Sequence, residues 1–103
     1  MRYGSSAGLW YVYLIRCCDG TLYCGIARDV AQRLEAHSAG RGARYTRGRG
    51  PLELLGASRH RGQGTALRVE AAIKKLSRAQ KLAIASDSRK WAAVARAARS
   101  GSG

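Results

Sequence analysis

The chain has 103 residues, which is enough for one compact domain with a modest core. Its 19 Lys and Arg against six Asp and Glu give a formal net charge of +13. This field favours a polyanionic partner, because phosphate backbones gain affinity by releasing condensed counterions. The longest apolar run, residues 9–15, is too short to span a bilayer, and residues 1–8 lack a signal-peptide core, so a cytoplasmic protein is expected.

The first predicted elements form a β-hairpin. Residues 10–17 are rich in β-branched and aromatic side chains, Asp19-Gly20 is a strong turn signal, and a second arm follows over residues 21–26. A two-residue loop would send Tyr13 and Tyr23 to opposite faces of the sheet. A three-residue loop that begins at Cys18, with Gly20 in a left-handed bulge, would place both tyrosines on one face.

The apolar pattern favours the three-residue loop. That register gathers one nearly uniform apolar face, broken only by Arg16, from Trp10, Val12, Leu14, Leu22, Cys24 and Ile26. The other face receives hydroxyl-bearing residues and a glycine that allows a close approach to the backbone, namely Tyr11, Tyr13, Ile15, Thr21, Tyr23 and Gly25. One face is predicted to build the core, and the other is a candidate site.

Cys17, Cys18 and Cys24 show no paired spacing, so neither a disulfide framework nor a zinc site is indicated.

Helices dominate the rest of the chain. Asp29, with Gln32 three residues later, predicts a helix through about Ser38, and residues 51–58 predict a third strand followed by a flexible basic stretch over 59–64. Thr65 is expected to cap a helix to residue 76. Two more helices are predicted to follow, one from the Ser77 and Gln80 capping box to about Ala85 and one from Asp87 to about Arg99.

These elements predict an α+β fold. A small three-stranded antiparallel sheet is flanked by helices in the order β-β-α-β-α-α, and a C-terminal basic helix is added. The expected organisation is a flexible N-terminus over 1–8, one domain over 9–86, and a basic helix with a disordered tail over 87–103.

Several side chains are candidates for chemistry, although each alone has an ordinary explanation. Arg33 and His37 are four apart on the helix after the hairpin and therefore project from one face. Glu70, one of six acidic residues, also has the spacing of a surface pair with Lys74. Strand tyrosines are commonly half-buried packing residues. His60, in a basic segment, is expected at the surface.

Taken in order, these residues resemble the GIY-YIG nuclease family. The first motif is Tyr11-Val12-Tyr13 and the second is Tyr23-Cys24-Gly25, followed by "GIARDVAQRLEAH" and "ALRVEAAIKKL". The resemblance spans Trp10 to about Ala85 and looks closest to the small stand-alone bacterial branch. It is also similar to the nuclease domain of Slx-type enzymes, where "GRGP" likewise precedes the third strand. Ile26 departs from the excision-repair branch, which has lysine at that position.

The resemblance implies phosphodiester hydrolysis with one divalent metal, Mg2+ or Mn2+. Glu70 is then the expected metal ligand, and the Arg33 guanidinium is expected to neutralise charge on the phosphate oxygens. Tyr13 or Tyr23 would be the general base, with the other orienting water or phosphate. His37 is expected as a relay or an alternative base, because the unperturbed pKa of histidine lies near neutrality.

An arginine-glycine loop, "GRGARYTRGRG", is the predicted DNA contact. Its cations can follow phosphates and its tyrosine can stack on an unpaired base, which assigns binding to Arg41, Arg44, Tyr45, Arg47 and Arg49. We expect a DNA endonuclease, with single-stranded or branched DNA in repair or recombination as candidate substrates and targeting supplied by substrate shape or a protein partner. The alternatives are a non-catalytic nucleic-acid-binding module that retains the fold and a basic RNA-associated protein.

Overall fold

The fold is a three-stranded antiparallel sheet with helices on both faces. The computed structural model describes residues 8–38 and 52–100. The elements in chain order are β1 (Leu9–Arg16), β2 (Leu22–Ala27), α1 (Val30–Ser38), β3 (Glu53–Arg61), α2 (Gln63–Lys74), α3 (Arg78–Ser86) and α4 (Ser88–Arg99). The strand order is β2-β1-β3, so β1 is central and both its neighbours are edge strands. The α+β class and the order of elements predicted from the sequence are confirmed.

The hairpin between β1 and β2 has the predicted three-residue loop. The Cys17 N–H donates to the Thr21 carbonyl at 2.8 Å, and the Gly20 N–H donates to the Cys17 carbonyl at 2.9 Å. Gly20 has φ +86°, the left-handed conformation that this loop requires. The register places Tyr13 directly opposite Gly25, so the predicted division of side chains between the two faces is confirmed.

Both faces of the sheet are covered by apolar packing. The face that carries the predicted apolar set packs against α2, α3 and α4, and its fully enclosed members are Val12, Leu14, Cys24, Ala66, Val69, Ile73, Ile84, Trp91 and Ala95. The face that carries the tyrosines packs against α1, and its buried members are Tyr11, Tyr13, Ile15, Ala27 and Val30. The candidate site therefore lies within a second core.

Side-chain caps fix the beginnings of three helices, as the sequence predicted. Asp29 Oδ1 accepts from the Gln32 N–H at 3.0 Å ahead of α1. Ser77 and Gln80 form a reciprocal capping box at the start of α3. Asp87 accepts from the Arg89 N–H at 3.0 Å at the start of α4. Each cap satisfies a backbone donor that the first turn of a helix leaves without a partner.

The strand β3 is longer than predicted. It runs to Arg61 instead of ending at residue 58, because β1 supplies partners for this polar segment: Trp10 pairs with His60 and Leu9 with Arg61. The expectation that His60 lies at the surface is wrong. His60 is only 4% exposed, and its Nε2 lies 2.7 Å from Ser58 Oγ.

The helix α2 also begins earlier than predicted. Its first residue is Gln63, so Thr65 lies inside the first turn and does not cap the helix. The preceding residue, Gly62, has φ +80° and donates its N–H to the Gly8 carbonyl at 2.9 Å. This bond ties the sharp turn from β3 into α2 to the beginning of β1.

Across residues 8–38 and 52–100, the helices are all too short or too polar to cross a membrane.

Candidate active site

Two tyrosines form the centre of the candidate site. The ring centroids of Tyr13 and Tyr23 are 6.3 Å apart and the rings are inclined by 45°. Tyr13 comes from the central strand and is fully buried, whereas Tyr23 comes from the edge strand β2 and is half-buried. A Cβ at Gly25 would lie 2.7 Å from Tyr13 Oη and 3.0 Å from Tyr23 Cε2. The glycine therefore makes the space in which the two rings meet.

Arg33 joins the tyrosines from α1. Its side chain is exposed to solvent and makes a hydrogen bond to the Tyr13 hydroxyl. Burial raises the pKa of Tyr13 well above its usual value, and the nearby Tyr23 raises it further, while the charge and hydrogen bond of Arg33 act in the opposite direction. Burial is the largest of these effects, so Tyr13 keeps its proton at neutral pH.

Glu70 lies on the opposite side of the edge strand β2 from the tyrosine pair. Its helix, α2, packs on the apolar face, and its carboxylate lies 3.3 Å from Lys74 Nζ in an i,i+4 pair with 15% of the Glu70 side chain exposed. Burial raises the pKa of Cys24 to about 12, and the negative charge of Glu70 adds to this effect. Because Cys24 follows Tyr23 in β2 and points to the opposite face, Glu70 and the tyrosine pair flank the same edge strand.

The acidic side chains limit how a metal can be held. Within the described ranges, no group of three His, Cys, Asp or Glu is arranged to bind a metal ion. Magnesium commonly takes one or two carboxylates and fills its other positions with water and substrate phosphate oxygens. A single half-buried carboxylate at Glu70 fits that minimal arrangement. Lys74 is the cation that already neutralises it.

Some of the predicted site residues lie outside the described part of the structure. The backbone of His37 belongs to α1, and its side chain lies outside the described part of the structure. The predicted DNA-binding residues of the arginine-glycine loop also fall outside residues 8–38 and 52–100, namely Arg41, Arg44, Tyr45, Arg47 and Arg49. The structure thus brings together Tyr13, Tyr23 and Arg33, and it sets Glu70 across β2 from them.

A cleft beside Arg33, lined by one tryptophan, two arginines and the acidic residues Asp29 and Glu35, was missed by the sequence interpretation. The Arg28 guanidinium carbon lies 5.7 Å from the centroid of the Trp10 ring, and both residues line an open cleft with Gln32 and Arg33. The signal was present in the hairpin register. A register that pairs Tyr13 with Gly25, extended three positions outward, brings position 10 opposite position 28.

Comparison with known proteins identifies the family of the chain. A family model described as the GIY-YIG catalytic domain matches residues 9–83. A UPF0213 protein of Nitratidesulfovibrio vulgaris is 52% identical over 83 residues, which cover 81% of this chain and 76% of the relative. A UPF0213 protein of Natronomonas pharaonis is 46% identical over 77 residues, or 75% of this chain and 91% of the relative.

A solved structure of a similar protein supports the same family relationship. The solution NMR structure of a UPF0213 protein from Bacillus halodurans has a TM-score of 0.50 and 41% sequence identity, and the alignment covers 76% of this chain and 83% of that chain. The family match covers nearly all the elements that carry the site, from β1 to α3. The chain therefore belongs to the GIY-YIG family.

Proposed function

We propose that this protein is a metal-dependent endonuclease that hydrolyses phosphodiester bonds in DNA. The observation that supports this proposal most is the meeting of Tyr13, Tyr23 and Arg33 on one face of the sheet. An exposed arginine and a half-buried tyrosine lie together there, on a chain with a net charge of +13. This combination suits attack on a phosphodiester in a polyanion.

Arg33 is assigned to the phosphate. Negative charge accumulates on the nonbridging oxygens during phosphoryl transfer, and a guanidinium can neutralise it with two parallel hydrogen bonds. The bond between Arg33 and the buried Tyr13 hydroxyl holds the guanidinium in place before substrate arrives. Arg33 thus acts on the substrate directly, and Tyr13 acts as its positioning residue.

Tyr23 is assigned as the general base. A base must reach the attacking water, and Tyr23 is half-exposed at the sheet edge, while Tyr13 is fully enclosed and holds its proton. A tyrosine accepts a proton only as its phenolate, a form that nearby positive charge favours in general. Arg33 is the cation that bonds to the neighbouring Tyr13. His37, one helical turn after Arg33, is the alternative base.

Glu70 is assigned to the metal. When bound there, Mg2+ or Mn2+ would supply positive charge to the phosphate oxygens and the leaving group. Lys74, whose side chain is 55% exposed, can turn away into solvent when the carboxylate takes another partner. The carboxylate would then be released from its ion pair without disturbing the core beneath it.

The arginine-glycine loop is assigned to substrate binding. Its arginines and tyrosine would contact phosphates and unpaired bases, and the proposed substrates are single-stranded or branched DNA in repair or recombination. The cleft lined by Trp10, Arg28 and Arg33 offers a further stacking surface next to the assigned arginine.

The test is a cleavage panel with full-length protein and Mg2+ or Mn2+. Single-stranded, duplex, flap and junction DNA are compared with the corresponding RNA substrates. We expect cutting of at least one DNA substrate, loss of cutting in Glu70→Gln, and unchanged DNA binding by that variant. Glu53→Gln is the matched control, because Glu53 is exposed on β3 and pairs with Arg16 at 2.7 Å. Binding of DNA without cleavage of any substrate would support the non-catalytic module instead.

A further inference from the structure

The cleft beside Arg33 lies where β2 passes into α1. Its volume is about 590 Å³, within the range of about 300–1,000 Å³ that is usual for small-molecule pockets. Trp10 lines it from β1, Arg28 from the position directly after β2, and Arg33 from the second turn of α1. The cleft therefore joins an aromatic side chain to the arginine that is assigned to the phosphate.

Trp10 is anchored in the core and also forms part of the cleft wall. Its side chain is half-buried and packs against the apolar cluster beneath α2 and α4. The Arg28 guanidinium carbon lies 5.7 Å from the centroid of its ring, and Arg28 itself is exposed. The indole thus has a fixed position, whereas the cation above it can turn into solvent. A planar group that enters the cleft can stack on this indole.

The charges of the cleft balance one another. Among its lining residues in the described ranges, Arg28 and Arg33 are matched by Asp29 and Glu35, on a chain whose net charge is +13. The two carboxylates repel a phosphate that enters the cleft itself, whereas an uncharged planar group meets no such repulsion. The cleft is therefore better suited to the base of a nucleotide than to its phosphate.

Arg33 links the cleft to the tyrosine pair. It makes a hydrogen bond to the Tyr13 hydroxyl and also lines the cleft. A base is joined to its phosphate through a single sugar, so a strand whose phosphate lies on Arg33 carries an adjoining base to the cleft. A paired base would first have to leave the stack, at a cost in unstacking and unpairing. An unpaired base can stack on an aromatic side chain directly.

We propose that the cleft holds one unpaired nucleobase next to the cleaved phosphate, stacked on Trp10 and covered by Arg28. This inference rests on the proposed cleavage, in which Arg33 holds the phosphate, and it makes Trp10 the residue that selects nucleotides outside a duplex. Single strands, flaps and bulges present such a base, whereas continuous duplex does not. Every base has a flat face, so the selection is for structure and tolerates different sequences.

The first experiment couples Trp10 to one base of the substrate. Full-length protein with Mg2+ cuts a single strand, and the rate at one phosphate is compared with that of strands in which either neighbouring nucleotide is abasic. For one of the two neighbours, we expect loss of the base to slow the parent protein by at least about fivefold. Trp10→Leu should cut the intact strand at least about fivefold more slowly and should cut that abasic strand no more slowly than the intact one.

Trp10→Phe is the matched variant, because it keeps an aromatic face. It should retain most of the parent rate on the intact strand and most of the sensitivity to the missing base. A purely structural role would give losses that multiply when Trp10→Leu and the abasic nucleotide are combined. Multiplied losses, or equal defects in the leucine and phenylalanine variants, would overturn the proposal.

The second experiment needs no substitution in the protein that is measured. The chain has two tryptophans, so its ¹H–¹⁵N NMR spectrum contains two indole resonances, which Trp10→Phe assigns. Without divalent metal, a single-stranded oligonucleotide should shift the Trp10 resonance, and a fully paired duplex of the same sequence should leave it unchanged. Trp91, which is only 5% exposed, is the internal control. An unshifted Trp10, or equal shifts with both DNAs, would refute the site.

The two readouts separate this inference from the proposed cleavage. A shift of Trp10 by single strands alone, without cleavage of any DNA, would refute the endonuclease and leave the cleft as a base-binding site. Cleavage that is lost in Glu70→Gln, together with a Trp10 resonance that single strands do not shift, would refute the cleft and leave the endonuclease.

Discussion

Gly25 lies directly opposite Tyr13 across the β1–β2 pair, and a Cβ at Gly25 would come within 2.7 Å of the Tyr13 hydroxyl oxygen. Tyr13 is fully buried and has no space into which it can withdraw. Gly25→Ala should therefore lower the free energy of unfolding by about 1–3 kcal/mol, the usual cost of overpacking a core. It should also abolish cleavage, because the tyrosines are displaced.

Urea unfolding and cleavage assays check this prediction. The matched control is Gly64→Ala in α2, where the new Cβ meets only the tip of the Arg68 side chain, at 4.0 Å. Alanine at a helical position should be neutral or stabilise the protein by up to about 1 kcal/mol. Similar losses in the two variants would mean that the space at Gly25 is not what fixes the tyrosines.

Arg33→Gln should reduce cleavage by about 10²–10³-fold, the range observed when one group that stabilises transition-state charge is removed. The stability of the protein should change little, because the Arg33 side chain is exposed. Single-turnover cleavage and urea unfolding measure the two effects separately. Arg16→Gln is a suitable control, since that arginine is paired with Glu53 at the far end of β1. A large fall in stability with unchanged cleavage would contradict the role given to Arg33.

Lys74→Met should increase the apparent affinity for the metal. Lys74 Nζ lies 3.3 Å from the Glu70 carboxylate and competes for it. Pairs at i,i+4 contribute about 0.2–0.5 kcal/mol, so the Mg2+ concentration at half-maximal cleavage should fall about twofold. Lys75→Met removes the same charge one residue later, where no ion pair with Glu70 is seen in the described structure, and should have a smaller effect. Equal effects would indicate a general electrostatic change.

The stability of the protein should decrease in mild acid because of His60. Burial, and then the charge of Arg99, lower the pKa of His60 in the folded state below its ordinary value of 6.5. The unfolded chain therefore binds more protons as the pH falls below 6.5, and folding loses stability until the lowered pKa is passed. Above pH 6.5 the stability is fully present. Urea midpoints between about pH 7.5 and about pH 5 should fall less in His60→Gln than in the parent protein.

The hairpin was predictable because two independent signals agreed. The loop "CDG" and the apolar alternation of both arms selected one register, and the structure has that register. The extension of β3 was not predictable in the same way. Residues 58–61 are polar and look like a loop, and pairing with residues 9–12 of β1 holds them in the sheet. Tertiary pairing thus buried His60 without a hydrophobic signal in the sequence.

The sequence predicted that the two tyrosines and Arg33 would lie close together, but it did not predict the position of Glu70 relative to them. Loop length placed Tyr13 and Tyr23 together, and the helical spacing after Asp29 brought Arg33 toward them. The sequence contained no sign that Glu70 would lie beyond the edge strand, because that depends on which face of the sheet α2 covers.

Because Tyr13 is completely buried, it is needed for the stability of the domain whether or not the protein cleaves DNA. Residues outside the core would be needed only for as long as activity is kept. A descendant that only bound nucleic acid would still need Tyr13 and Gly25, since their removal damages the core. Arg33, exposed on α1, and Glu70, partly exposed on α2, are not enclosed in the core in this way. Active and inactive members of this branch should therefore be told apart by the arginine and the glutamate, while the tyrosine motif that gives the family its name would mark both.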